Sequence, residues 1–166
     1  MPHVDLPPRY VDVLAALPSH EVSFGAGGLK LFEPDELPAA QVGYSIDPEG
    51  RPLLGWKHGW LVIGIDTGMG DPLILDTADS GLPVYSSWHG EGAWEPHLVA
   101  TSMESFAACF RELAAISQGR SNPVEVDKNP LNDSERAAYL ARTADANGGN
   151  TEIEFWDALL AYAESD

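Results

Sequence analysis

"WLVIGIDTGMGDPLILDTADSGLPVYSS", residues 60–87, alternates three apolar runs with two turns rich in glycine, aspartate and proline. The runs Trp60–Ile65, Leu73–Leu75 and Pro83–Ser86, rich in β-branched and aromatic residues, read as strands. The pieces between them are too short and polar for the crossover of about a dozen residues that a parallel pair needs, so neighbouring strands run antiparallel. A meander is therefore the expected core of the fold.

Outward from this segment, Leu98-Val99-Ala100 continues the strand series, and Leu29–Phe32 and Gln41–Ile46 precede it as strand candidates. Asp47-Pro48-Glu49-Gly50 forms a turn between the last of these and Trp60. Leu6–Leu17 reads as a short helix, with proline in its first turn and Tyr10, Leu14 and Leu17 on one face. Thr101-Ser102-Met103-Glu104 has the form of a capping box, and Met103, Phe106, Phe110 and Leu113 mark one face of the helix that follows, to about Ile116. Residues 117–123 break that helix and read as a linker. Asp133 or Ser134 then caps a helix whose inner face is expected at Ala137, Leu140, Ala141 and Ala144. A second box, Thr151-Glu152-Ile153-Glu154, opens a last helix with Phe155, Trp156, Leu159, Leu160 and Ala163, where the tryptophan is expected to dock on the core. The expected fold class is α+β: a central, mainly antiparallel sheet, with a mixed sheet left open, and an N-terminal helix and C-terminal helices packed on it. One domain, 1–166, is expected, with its core at 6–116 and a C-terminal helical extension at 130–164.

The chain carries 9 basic and 26 acidic side chains, for a net charge of −17. Such a field repels nucleic acid phosphates and anionic membranes and attracts cationic partners. From His58 to Phe110 there is no lysine or arginine, while seven carboxylates fall there. The single cysteine, Cys109, excludes an internal disulfide and suits a reducing compartment. The first residues lack the basic and apolar regions of a signal peptide, and no run approaches the about 20 apolar residues of a membrane span, so a cytoplasmic location is expected.

The carboxylates of 66–79 invite a catalytic reading, because Asp66-Thr67-Gly68 spells the aspartic-protease triplet. A shared-proton dyad needs two facing carboxylates on matched lobes, and Asp66 and Asp76, ten residues apart across a turn and a strand, do not supply them. The same loop fails as a calcium loop, since glycines stand at positions three and five and Thr77 at position twelve. The histidines His58, His89 and His97 lack zinc-ligand spacing. A divalent ion held by Asp71, Asp76 and His89 stays open as an alternative. Gly68-Met69-Gly70 has neither the third glycine of a dinucleotide loop nor the lysine of a P-loop. Ser86, Ser87 and His89 lack the strand-turn-helix elbow of a nucleophile. No catalytic residues, cofactor or metal are expected. The remaining feature is the interleaving of Trp56, Trp60, Tyr85, Trp88 and Trp94 with carboxylates, a composition suited to binding a protein that presents arginines.

The series Leu6-Pro-Pro-Arg-Tyr10 with Leu14, Leu29-Lys-Leu-Phe-Glu-Pro-Asp-Glu-Leu37, Ile63-Gly-Ile-Asp66, Gly70-Asp-Pro-Leu-Ile-Leu-Asp76, Pro83-Val-Tyr85, His89-Gly90, Trp94 and Ala100-Thr-Ser-Met-Glu-Ser-Phe106 resembles the SUKH superfamily over residues 6–116. Its namesakes are fungal Smi/Knr-type regulators of cell-wall synthesis, and many bacterial members are immunity proteins against secreted toxins. The resemblance implies an α+β domain without catalytic residues that binds a protein partner. Together with the acidic run it leads to the expectation of an immunity protein that neutralises a cationic toxin domain. The partner-binding face is expected at Asp71, Asp76, Asp79, Trp88, His89 and Glu91. A regulatory scaffold of the fungal type, and a metal-dependent hydrolase built on the aspartates of 66–79, are the alternatives.

Overall fold

The computed structural model describes residues 4–90, 92–149 and 153–163. Strands β1 (Glu21–Phe24), β2 (Gly27–Leu31), β3 (Trp60–Asp66), β4 (Pro72–Asp76), β5 (Val84–Ser86) and β6 (His97–Ala100) lie in one sheet in sequence order, every neighbouring pair antiparallel. The helices are α1 (Pro8–Ala15), α2 (Leu37–Ala40), α3 (Met103–Ile116), α4 (Pro123–Lys128), α5 (Asp133–Ala146) and α6 (Ile153–Ala158), with a final 3-10 turn at Leu159–Ala163. The fold class is thus α+β. No helix among the described residues is long and apolar enough to cross a membrane.

The β3–β4 hairpin sets the frame. Its register pairs Trp60 with Asp76 at one end and Ile65 with Pro72 at the other. At the turn, Asp66 Oδ1 accepts from the amides of Gly68 at 2.8 Å and Met69 at 3.1 Å, while Gly70 donates to the Asp66 carbonyl at 2.7 Å. The aspartate side chain replaces the missing strand partner of these amides, and Gly70 takes φ 79, which a side chain rarely tolerates. The DTG triplet is therefore a turn.

One face of the sheet packs on α1, α3 and the C-terminal segment. Leu61, Ile63, Leu73, Leu75 and Val84 point to this core, alternating with outward neighbours as the pleat requires. Helix α3 contacts both edge strands, β1 and β6, so the sheet curls around it. Phe106 on α3 lies between Phe110 and Trp156, which is fully buried and donates its indole N–H to the Val99 carbonyl at 3.1 Å. That bond ties α6 to β6 and occupies one backbone acceptor of this edge strand.

The second face is covered near β3 by α2 and the irregular segment after it, where the structure corrects the sequence reading. Residues 41–46 do not form a strand. Tyr44, Ser45 and Ile46 all direct their amides at the Gln41 carbonyl, and Gly43 takes φ 89. The buried Gln41 side chain explains this arrangement. Its amide donates to Leu37 and Val62 carbonyls and accepts from the Val62 amide at 3.0 Å, satisfying β3 beside the register slip between Val62 and Gly64. At Gly64 a Cβ would stand 2.3 Å from the Lys30 carbonyl, so the slip and the glycine occur together.

Three further corrections concern the helices. The cap of α3 is Ser102, which accepts from Ser105 N at 3.0 Å, and not Thr101. The expected linker contains α4, capped by Asn122. Before it, Arg120, 6% exposed, binds the Ile116 carbonyl, the Asn129 carbonyl and Glu135. Helix α5 is capped in a box by Asn132 and Glu135, and it buries Tyr139, Thr143 and Asn147 rather than the alanine stripe, with Ala137 and Ala141 exposed. These polar side chains are buried because each is bonded: Tyr139 to the Trp156 carbonyl, Thr143 to the Leu140 carbonyl, and Asn147 to Cys109 Sγ and the Thr101 amide. The expected box at Thr151–Glu154 begins outside the described residues.

The Gly64 contact predicts that Gly64→Ala forces β2 and β3 apart and lowers unfolding free energy by about 1–3 kcal/mol in urea titration. Tyr10 is fully buried, and its hydroxyl has no partner among the described residues. Tyr10→Phe is expected to raise stability by about 1 kcal/mol in the same measurement. Burial raises the phenols of Tyr10 and Tyr139, and pushes the Cys109 thiol up from 9.0 to about 12. Their proton-bound forms belong to the folded state, so this stability is full below the unfolded values and is lost as pH rises through and beyond them. Thermal melts should therefore fall steeply above pH 9, the ordinary value of the thiol, and less steeply in Tyr10→Phe.

Candidate functional site

Asp71 and Asp76 stand at the two ends of the β4 segment. Five residue steps along the strand separate them by roughly 16 Å, and the odd interval turns their side chains to opposite faces. Asp71, 8% exposed, accepts from the His89 amide at 3.0 Å and faces His89 Nδ1 at 2.7 Å through the same oxygen. It thereby ties the loop after β5 to the hairpin turn. Asp76 is buried on the other face, held by Lys57 Nζ at 2.9 Å and the Ala78 amide at 3.0 Å. The hydrogen bond to Asp76 raises the Lys57 ammonium above its ordinary value. Asp79 is exposed near that end and closes a turn by accepting from Gly81 N at 2.8 Å.

The six residues expected to share one face are therefore divided. Asp71, Trp88 and His89 cluster at the end of the sheet bearing the 66–71 turn, whereas Asp76 and Asp79 lie at the far end. Glu91 lies outside the described residues. A divalent ion held jointly by Asp71, Asp76 and His89 is ruled out by this separation, as is an Asp66–Asp76 dyad. Among the described residues no group of three or more histidine, cysteine or carboxylate side chains is placed to hold a metal ion.

The cluster borders a cavity of about 390 Å³ between the 66–71 turn, the ends of β5 and β6, and α6. Its apolar walls are Met69, Trp88, Phe155, Ala158 and Leu159. Asp66, Asp71, Glu95 and Glu154 supply carboxylates, and among the described residues no lysine or arginine lines it. Trp88 is 62% exposed and Met69 59%, so large apolar groups stand in solvent at a carboxylate-rich mouth. The Trp88 ring lies 5.8 Å from His97, and His97 lies 6.3 Å from Phe155, a continuous aromatic wall.

Ser86, His97, Glu154 and Phe155 were not among the expected site residues. The period of β5 puts Ser86 on the same face as Val84, but nothing in a linear pattern brings residue 155 to residue 97. The other tryptophans of the segment are structural. Trp94 and Trp56 meet at 5.3 Å, both stack near Tyr44, and Trp56 donates to the Trp60 carbonyl, a cluster that braces the second face. Burial, followed by the charge of Asp71, raises the Tyr44 phenol.

Comparisons with protein-family models, with curated proteins and with solved structures gave no significant match.

Removing the two kinds of residue should have different effects. Trp88→Ala is expected to leave unfolding free energy unchanged within about 0.5 kcal/mol, as for other exposed positions. Asp76→Ala removes bonds to a buried carboxylate and should cost about 2 kcal/mol, read by denaturant titration.

Proposed function

We propose that this chain is a non-catalytic, cytoplasmic binding protein that neutralises a cationic toxin domain by stoichiometric association. The observation that carries this reading is the acidic cavity mouth with exposed Trp88 and Met69 and, among the described residues, no lysine or arginine lining it. Aromatic anchors surrounded by charge of one sign suit a partner of opposite charge, accelerating encounter and fixing orientation. The run from His58 to Phe110 without lysine or arginine extends that field over the surrounding loops. The SUKH resemblance supports an immunity role in particular, and the antiparallel sheet with flanking helices is compatible with it. Asp71 and His89 belong to this surface as braces for the loop that carries Trp88.

The test is binding to a basic toxin domain encoded beside this chain's gene, measured by stopped-flow association and by protection of cells expressing that domain. Association is expected to slow with salt, and Glu95→Lys combined with Glu154→Lys should slow it about tenfold or more. Absence of binding and of protection, or binding indifferent to these substitutions, overturns the reading.

A further inference from the structure

The cavity holds a polar group that the fold itself does not use. Ser86 is 2% exposed and lines the cavity, and its hydroxyl makes no hydrogen bond among the described residues. The hydroxyl opens onto the cavity, where a ligand can take the place of solvent as its partner. Asp66 and Asp71, each 8% exposed, present carboxylates to the same space, and Glu95 and Glu154 stand exposed around it. The walls are flat aromatic rings and a thioether, Trp88, His97, Phe155 and Met69.

Hydrogen-bond acceptors behind an aromatic plane select a particular cation. A guanidinium is planar, carries five N–H donors, stacks on aromatic faces and loses water more readily than an ammonium. Its aliphatic stem gains from apolar walls. The volume, about 390 Å³, lies at the low end of about 300–1,000 Å³ for small-ligand sites, room for one side chain rather than a peptide strand. We propose that this cavity receives a single arginine side chain of the partner, stacked on Trp88 and donating to Asp71 and Ser86. The inference rests on the cationic-partner reading and names the group that such a partner inserts.

The experiment titrates N-acetyl-arginine amide, its lysine counterpart and its uncharged citrulline counterpart into the ¹⁵N-labelled full chain. The Trp88 indole N–H is assigned by its loss in Trp88→Phe. The arginine compound should shift that signal and the Ser86 amide saturably, with Kd in the range of about 1 mM. The lysine compound should bind about fivefold or more weakly, and citrulline not measurably. Ser86→Ala, which only trims the hydroxyl, should weaken arginine binding about threefold or more, and Trp88→Ala should abolish it. No saturable shift with arginine, equal binding of arginine and lysine, or binding unchanged in both variants overturns the proposal. Charge reversal at Glu95 and Glu154 that blocks the toxin domain, without any arginine amide binding, sinks the arginine anchor and leaves the cationic-partner reading intact. Selective arginine amide binding without any toxin binding does the reverse.

Discussion

The register of the β3–β4 hairpin is the constraint on which the rest of the molecule depends. Side chains alternate along a strand, so a slip of one residue would send Leu73 and Leu75 out of the core and bring Ile74 and Asp76 into it. Two devices hold the register. Asp66 fixes the turn by accepting from Gly68 and Met69, and Gln41 completes the backbone of β3 where the pairing shifts beside Gly64. With that hairpin in place, β2 and β5 add on either side, the sheet curls around α3, and Trp156 ties α6 to the far edge at Val99.

The same alternation assigns the carboxylates their tasks. Asp66 is used inside its own turn, Asp71 binds the loop of His89, and Asp76 is matched by Lys57 from the segment covering the opposite face. Three of the four aspartates of residues 66–79 are thus buried, and only Asp79 is exposed. Burial of a charge is tolerable where amides or a cation take up its lone pairs, as they do at each of these positions. What faces a partner at the Asp71 end is a cavity in which acidic groups lie against aromatic walls. The strongly acidic composition supplies the field, and the fold decides where that field meets exposed apolar surface.

Buried polar side chains also explain the misread elements. An apolar period recognises Phe106 and Phe110 on α3; on α5 it finds the helix but not its inner face, which is Tyr139, Thr143 and Asn147. Those residues pack inward because partners from α3, α6 and the end of β6 happen to meet them: Cys109 Sγ, the Trp156 carbonyl and the Thr101 amide. Arg120 is a second instance, a guanidinium buried among two carbonyls and Glu135 where the chain reads as a polar linker. Gln41 is a third, and it turns an apparent strand into the clasp of another one.

By itself, the amino-acid sequence determined the meander, the amphipathic helices at both ends and the turn nature of Asp66-Thr67-Gly68. Each of these is a local matter, set by side-chain period, by loop length and by which residues can close a turn. It also determined a charge field hostile to phosphate. Only the tertiary structure decided which carboxylates are buried, that Asp71 and Asp76 are parted, and that Ser86, Trp88 and His97 share a cavity with Phe155. Those facts depend on strand register and on contacts between residues more than fifty positions apart, and a hydrogen-bond partner or a cavity wall leaves no period in the chain that provides it.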